Sequence, residues 1–257
     1  MYLDKKGEVV VVVIIALAVI ISSFFAINQI SDGNMVTGAA IGLGNIKTQA
    51  SCGDTITSST TLTENLGPCS NLDGLIIGAN NVVLDCAGYK IIGENDLNKY
   101  GVKNPQYNRI TIKNCSITNF SIGISFSRDS LLSTIINNTL FTNTDGIYIF
   151  NSNTTTIINN TIKNQTQHGL WLVGVGDGLI INNLIENNGI SDLTTKNGIN
   201  IDFGDYSSNL TFINNTLYNN SIAIEASVTE TRFYNNKFNY TPIINGNAVT
   251  IWNTTYD

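Results

Sequence analysis

A chain of 257 residues with one histidine, four cysteines and two tryptophans has few ways to do chemistry, and its candidates fall into three groups. Asp202 and Glu225 form the first. If the segments carrying them run side by side as neighbouring strands, their Cα atoms lie about 8 Å apart, from which two carboxyl groups reach glycosidase geometry. Asp145 and His168 form the second, a carboxylate able to orient an imidazole that takes up a proton. Tyr148 and Trp171, with Asn200, form the third: flat rings on which a sugar stacks, beside an amide that bonds its hydroxyls. Catalysis asks for more than these supply. Arg109, Arg128 and Arg232 fall on other parts of the repeat, no Asp-rich cluster occurs, and neither a nucleophile nor a second acid accompanies His168. One histidine without any C-x-x-C completes no zinc set, so neither a metal nor a cofactor is expected. Binding without turnover is therefore the favoured reading, with Tyr148, Trp171, Asn200, Asp202 and Glu225 as ligand contacts. On an enzymatic reading the catalytic set would be Asp202, Glu225, Asp145 and His168.

These residues are brought together only if a repeat does it. Gly101, Gly123, Gly146, Gly169 and Gly198 recur at spacings of 22, 23, 23 and 29 residues, and such a period means stacked units. After each glycine, apolar residues alternate: Ile124 and Phe126, Ile147 and Ile149, Leu170 and Leu172, Ile199 and Ile201. That is the mark of a strand with one buried face. A second apolar column runs Ile112, Ile135, Ile157, Ile180, Phe212 and Phe233, and a third Ile117, Leu140, Ile162, Ile185, Leu217 and Phe238. Three short strands per unit leave no room for a helix. The fold expected is all-β, a solenoid of about seven rungs stacked at about 4.8 Å, with residues 95–107 and 189–196 as projecting loops. In that stack Ser125, Tyr148, Trp171, Asn200 and Glu225 share one outward column, and Asp145 and His168 share another.

Asparagine is the commonest polar residue, 38 in all. Asn114, Asn137, Asn159, Asn182, Asn214 and Asn235 each stand two residues after the second apolar column. Where the chain turns sharply inward an amide supplies both a donor and an acceptor, so these residues are expected to point inward and bond rung to rung as a ladder that also satisfies turn backbone groups.

The repeated N-N-T-I and G-I-x-I segments, as in Asn159 to Ile162 and Gly146 to Ile149, resemble right-handed parallel β-helix (PbH1-type) repeats of the NosD-like and pectate-lyase-like kind, over about residues 52–257. The opening CGDTITSSTTLTENLGPC, with LIIGANNVVLDCAGYKIIG and NRITIKNC, is similar to cysteine-bearing β-helix surface proteins of archaea. The resemblance implies the fold and leaves the activity open, since this fold hosts binding, structural and enzymatic proteins. Four cysteines allow three pairings. Cys52 with Cys69 would close a loop of about 17 residues. Cys86 and Cys115 fall on neighbouring rungs within disulfide range, although two reduced inward cysteines would also fit.

Val9 to Ile27 is uncharged and apolar but for Ser22 and Ser23, about 28 Å as a helix. Lys5 and Lys6 precede it and no base follows before Lys47. The positive-inside bias makes residues 1–8 a cytoplasmic tail, 9–29 a single transmembrane helix in the lipid bilayer, 30–50 a linker and 51–257 an extracellular β-helix domain. A cleaved signal peptide is the alternative, disfavoured by the length of the run and the lack of an A-x-A site. Lys5 to Val13 also resembles the leader of archaeal pilin-like proteins, with processing after Gly7, which leaves a filament subunit as a third role. A net charge of -6 with 13 Lys plus Arg argues against a nucleic-acid partner. The expected partner is an extracellular polysaccharide or cell-envelope glycan, with an adhesion or envelope role. The alternative is a polysaccharide lyase, hydrolase or epimerase. Of the N-x-S/T motifs, Asn153, Asn164, Asn209, Asn219 and Asn253 are expected in turns or strand ends and are the glycosylation candidates, whereas Asn114, Asn137, Asn159 and Asn214 are expected inside.

Overall fold

The structure, a computed structural model, describes residues 49–189, 197–202, 209–220, 222–226, 231–239, 244–245, 249–252 and 255–256. Of these, residues 197, 202, 222–226 and those beyond 240 are described by backbone alone. The expected transmembrane segment 9–29 and most of the expected loop 189–196 lie outside the described residues.

Every strand pairs in parallel with its counterpart one rung away, in three nine-stranded sheets. The solenoid of about seven coils expected from the repeat is present, and short strands at its ends extend each sheet to nine. In the central rungs the first sheet contains Ile122–Ser127, Asp145–Phe150, Leu170–Val173 and Asn197–Asp202, the second Thr134–Ile136, Thr156–Ile158 and Leu179–Ile181, and the third Thr139–Phe141, Thr161–Lys163 and Leu184–Glu186. Register is strict: Ile124 pairs with Ile147, Ile147 with Leu170, and Leu170 with Ile199. Like therefore stacks on like, and the second and third apolar columns are buried throughout. The expected loop 95–107 needs correction, because Tyr100–Asn104 is a strand of the first sheet paired with Ile122–Ser127. Its alternation is masked by Asn104, a polar residue at a buried position.

The glycine column has a steric cause. A Cβ on Gly146 would stand 2.4 Å from the carbonyl oxygen of Gly169, and on Gly123 2.7 Å from that of Gly146. At this point adjacent rungs touch backbone to backbone, so no side chain fits.

The inward asparagine ladder is one residue later than expected. Asn114, Asn137, Asn159, Asn182, Asn214 and Asn235 have φ between 51° and 57°. That left-handed conformation, which Asn tolerates, reverses the in-out alternation. All but the half-buried Asn114 are exposed, and the next residue turns inward instead. The buried ladder is Asn138, Asn160, Asn183, Asn215 and Asn236. Asn160 shows the pattern: its Oδ1 accepts from the Asn138 backbone N–H at 2.9 Å and side chain at 3.0 Å. Its Nδ2 donates to the Ile135 carbonyl at 2.9 Å and to Asn183 Oδ1 at 3.1 Å. A second ladder, not foreseen from the sequence, stands at the far end of the third sheet: Phe120 N–H donates to Asn143, Asn143 to Gln165, Gln165 to Asn188 and Asn188 to Asn220. Each of its members again follows a left-handed residue: Asn119, Thr142, Asn164, Asn187 and Asn219.

Both expected disulfides form, Cys52–Cys69 with Cα atoms 5.5 Å apart and Cys86–Cys115 at 4.7 Å. Cys115 occupies the inward ladder position, and its backbone N–H donates to Asn138 Oδ1 at 2.9 Å. The second disulfide thus closes the N-terminal end of the first ladder, where no amide side chain stands.

Candidate functional site

The outer face of the first sheet gathers most of the residues singled out by chemistry. Ser125 pairs with Tyr148, Tyr148 with Trp171, Trp171 with Asn200 and Asn200 with Glu225, in the order expected. Strand alternation points Tyr148 and Trp171 away from the core because Ile147, Ile149, Leu170 and Leu172 point in. Tyr148 and Trp171 are half-buried, with ring centroids 4.7 Å apart and planes inclined at 48°. Phe150 stacks on Tyr148 at 6.2 Å. The platform is therefore three rings over two rungs, tilted rather than coplanar.

Beside it lies the Asp145–His168 pair, joined as expected across one rung. His168 Nδ1 is 2.8 Å from Asp145 Oδ1, and the same oxygen accepts the His168 backbone N–H at 2.9 Å. Both side chains are buried, which corrects the outward column expected for them: Trp171 covers the imidazole, centroid to centroid 5.0 Å. With Nδ1–H donated to the carboxylate, Nε2 is the acceptor, and Asn200 Nδ2 stands 3.4 Å from it. Asp145, His168 and Asn200 form one line of polar contacts across three rungs at the margin of the aromatic platform. The Asn200 contact was not foreseen; the signal was its place in the next rung, two residues beyond Gly198.

Asp202 pairs in register with Val173, and Glu225 with Asn200, which puts their backbones on the same face. Their side chains lie outside the described residues. Of the glycosylation candidates, Asn153, Asn164 and Asn219 are exposed and Asn209 half-buried, while Asn253 lies outside the described residues. On another face stands Asp85: burial raises its pKa, but hydrogen bonds from Asn114, the Ala87 N–H and Lys113, with the Lys113 charge, bring it below its ordinary value.

Parallel three-sheet rungs with a stacked amide corner define a β-helix, and comparison with known families agrees. Residues 70–238 match the family described as right-handed β-helix region. The chain belongs to that family. Among solved structures it is similar to DFA-IIIase from Arthrobacter chlorophenolicus A6, with 10% identity and a TM-score of 0.51 over 64% of this chain and 41% of that one. It is also similar to the Dettilon tailspike protein, with 16% identity and a TM-score of 0.49 over 77% and 49% of the two chains. The likeness is one of fold, and the chain spans less than half the length of either. No curated protein matches it.

Proposed function

We propose that this is a membrane-anchored extracellular β-helix protein, of the NosD-like, archaeal surface type, that binds an extracellular polysaccharide or cell-envelope glycan without processing it. The observation that carries the reading is the Tyr148–Trp171 pair, 4.7 Å apart on the outer face of the first sheet, bordered by the Asn200 amide. An aromatic surface of this size takes the apolar face of a pyranose while neighbouring amides bond its hydroxyls. Placement outside the cell is supported by the apolar run from Val9 to Ile27 and by two disulfides, which persist in oxidising compartments.

A second reading, a polysaccharide-active enzyme, is favoured by one feature: His168 held by a buried carboxylate, as a general base is oriented. Its Nε2 faces an amide donor, so proton uptake from a substrate would require Asn200 to move aside. A glycan array probed with the wild type and Trp171→Ala tests the binding reading. A set of glycans should bind the wild type and lose at least tenfold in the variant; equal binding by the two proteins would remove the platform. Shortening of a bound polysaccharide by the wild type, lost in His168→Ala, would establish the enzymatic reading instead.

A further inference from the structure

The corner between the second and third sheets holds sequence motifs whose meaning depends on which way an asparagine points. Asn137, Asn159 and Asn214 each begin N-N-T, and all three are exposed in the left-handed conformation. Their inward neighbours Asn138, Asn160 and Asn215 hold the ladder. The buried amide and the acceptor amide are thus different residues. Asn164, in Asn-Gln-Thr at the other end of the third sheet, has the same geometry, with Gln165 inward.

In three other motif asparagines the side-chain nitrogen is already bonded. Asn209 Nδ2 donates to Asp177 Oδ1 at 2.7 Å and its oxygen accepts from Arg232. Asn219 Nδ2 donates to Asn187 Oδ1 at 2.7 Å, and Asn114 Nδ2 to Asp85 Oδ1 at 3.0 Å. A sugar on any of these nitrogens crowds a bonded partner oxygen. At Asn137 there is room instead: it borders a recess of about 290 Å³ with Gly88, Asn114, Ser116 and Thr139. A Cβ added at Gly88 would meet nothing within 4 Å, so the neighbouring rung leaves that side open.

We propose that Asn137, Asn159, Asn164 and Asn214 are N-glycan acceptors compatible with the folded coil, and that Asn209, Asn219 and Asn114 are not. This rests on the extracellular placement proposed above. In the transfer, Nδ2 attacks the anomeric carbon of an oligosaccharide carried on a lipid diphosphate. The N–C bond forms, the bond from carbon to the phosphate oxygen breaks, the lipid diphosphate leaves, and the Nδ2 proton passes to a base of the transferase. Asn137 and Asn159 sit one rung apart, about 4.8 Å, too close for two branched glycans. One molecule carries a sugar on one of them, and Asn214, two rungs beyond Asn159, is independent.

The test is secretion of the full chain from yeast, with and without an added cleavable leader. Enzymatic release of the glycans in ¹⁸O water then marks each former acceptor as labelled aspartate. Trypsin leaves Asn137, Asn153 and Asn159 together on the peptide 129–163, whose mass counts the labels directly. One label is expected between Asn137 and Asn159, one at Asn164 and one at Asn214. Thr139→Ala removes a motif without touching a turn asparagine, and should move the label on peptide 129–163 wholly to Asn159. Labels on both Asn137 and Asn159 of one peptide, located by fragmentation, labels at Asn209 or Asn219 in place of Asn214, or no label in the leader-bearing protein would overturn the proposal. Labels with the leader and none without it would overturn only the extracellular placement.

Discussion

The amide corner and the outer face of the first sheet are built by the same stack of rungs yet obey opposite rules. In the corner, one position after each left-handed residue is Asn138, Asn160, Asn183, Asn215 and Asn236, the same side chain five times. On the outer face the corresponding run is Ser125, Tyr148, Trp171, Asn200 and Glu225, five different side chains in register. In the corner each amide must satisfy a backbone N–H and a carbonyl of the rung before it, while the amide of the next rung accepts one of its own protons. On the outer face stacking requires nothing but a strand residue. A uniform column therefore reports the fold, and a varied column is free to carry a site.

The contrast is open to several tests. Asn160→Ala removes the acceptor of the Asn138 backbone N–H and leaves the Ile135 carbonyl without its donor inside the coil. It should destabilise by about 3–5 kcal/mol in urea unfolding, whereas Asn159→Ala, one residue away and exposed, should lose only about 1 kcal/mol, through its left-handed backbone. Comparable losses at the two positions would mean that the ladder does not bear the stability. Gly146→Ala places a methyl 2.4 Å from the Gly169 carbonyl and 2.6 Å from Ile162 Cγ2. A loss of about 3 kcal/mol is expected, and a neutral result would show that neighbouring rungs can part without penalty. The smallest effect belongs to Asp85. Its folded-state pKa lies below the ordinary 3.8, so its contribution is complete above that pH and fades as the pH falls through the lower folded value. Wild type should exceed Asp85→Ala in stability at pH 6 by about 1 kcal/mol or less, as for a solvent-screened ion pair, and the gap should narrow as the pH falls below 3.8.

Much of this coil was readable from residue spacing. The 23-residue period, the buried apolar columns and the pairing of Tyr148 with Trp171 follow from repetition, because in-register stacking turns sequence offset into spatial adjacency. What was misread lay where the chain turns. Period two holds only while φ stays in the β region, and a single left-handed residue inverts it. Asn137 and Asn138 look alike in sequence and do opposite things. The second ladder escaped notice because Phe120, Asn143, Gln165, Asn188 and Asn220 are not one residue type, although two amide kinds and a backbone N–H fill the same role. The burial of His168 depends on Trp171 lying across it, a tertiary contact that periodicity cannot reveal.

The central claim is that uniform columns hold the coil together and the varied column is free for binding. Thermal unfolding of Trp171→Ala and Asn160→Ala, measured side by side with wild type, tests it most directly. Trp171→Ala should unfold close to wild type, lower by about 1 kcal/mol for the lost ring contacts, while Asn160→Ala unfolds far below both. A Trp171→Ala protein as unstable as Asn160→Ala would contradict the claim, because the outer column would then be part of what holds the rungs together.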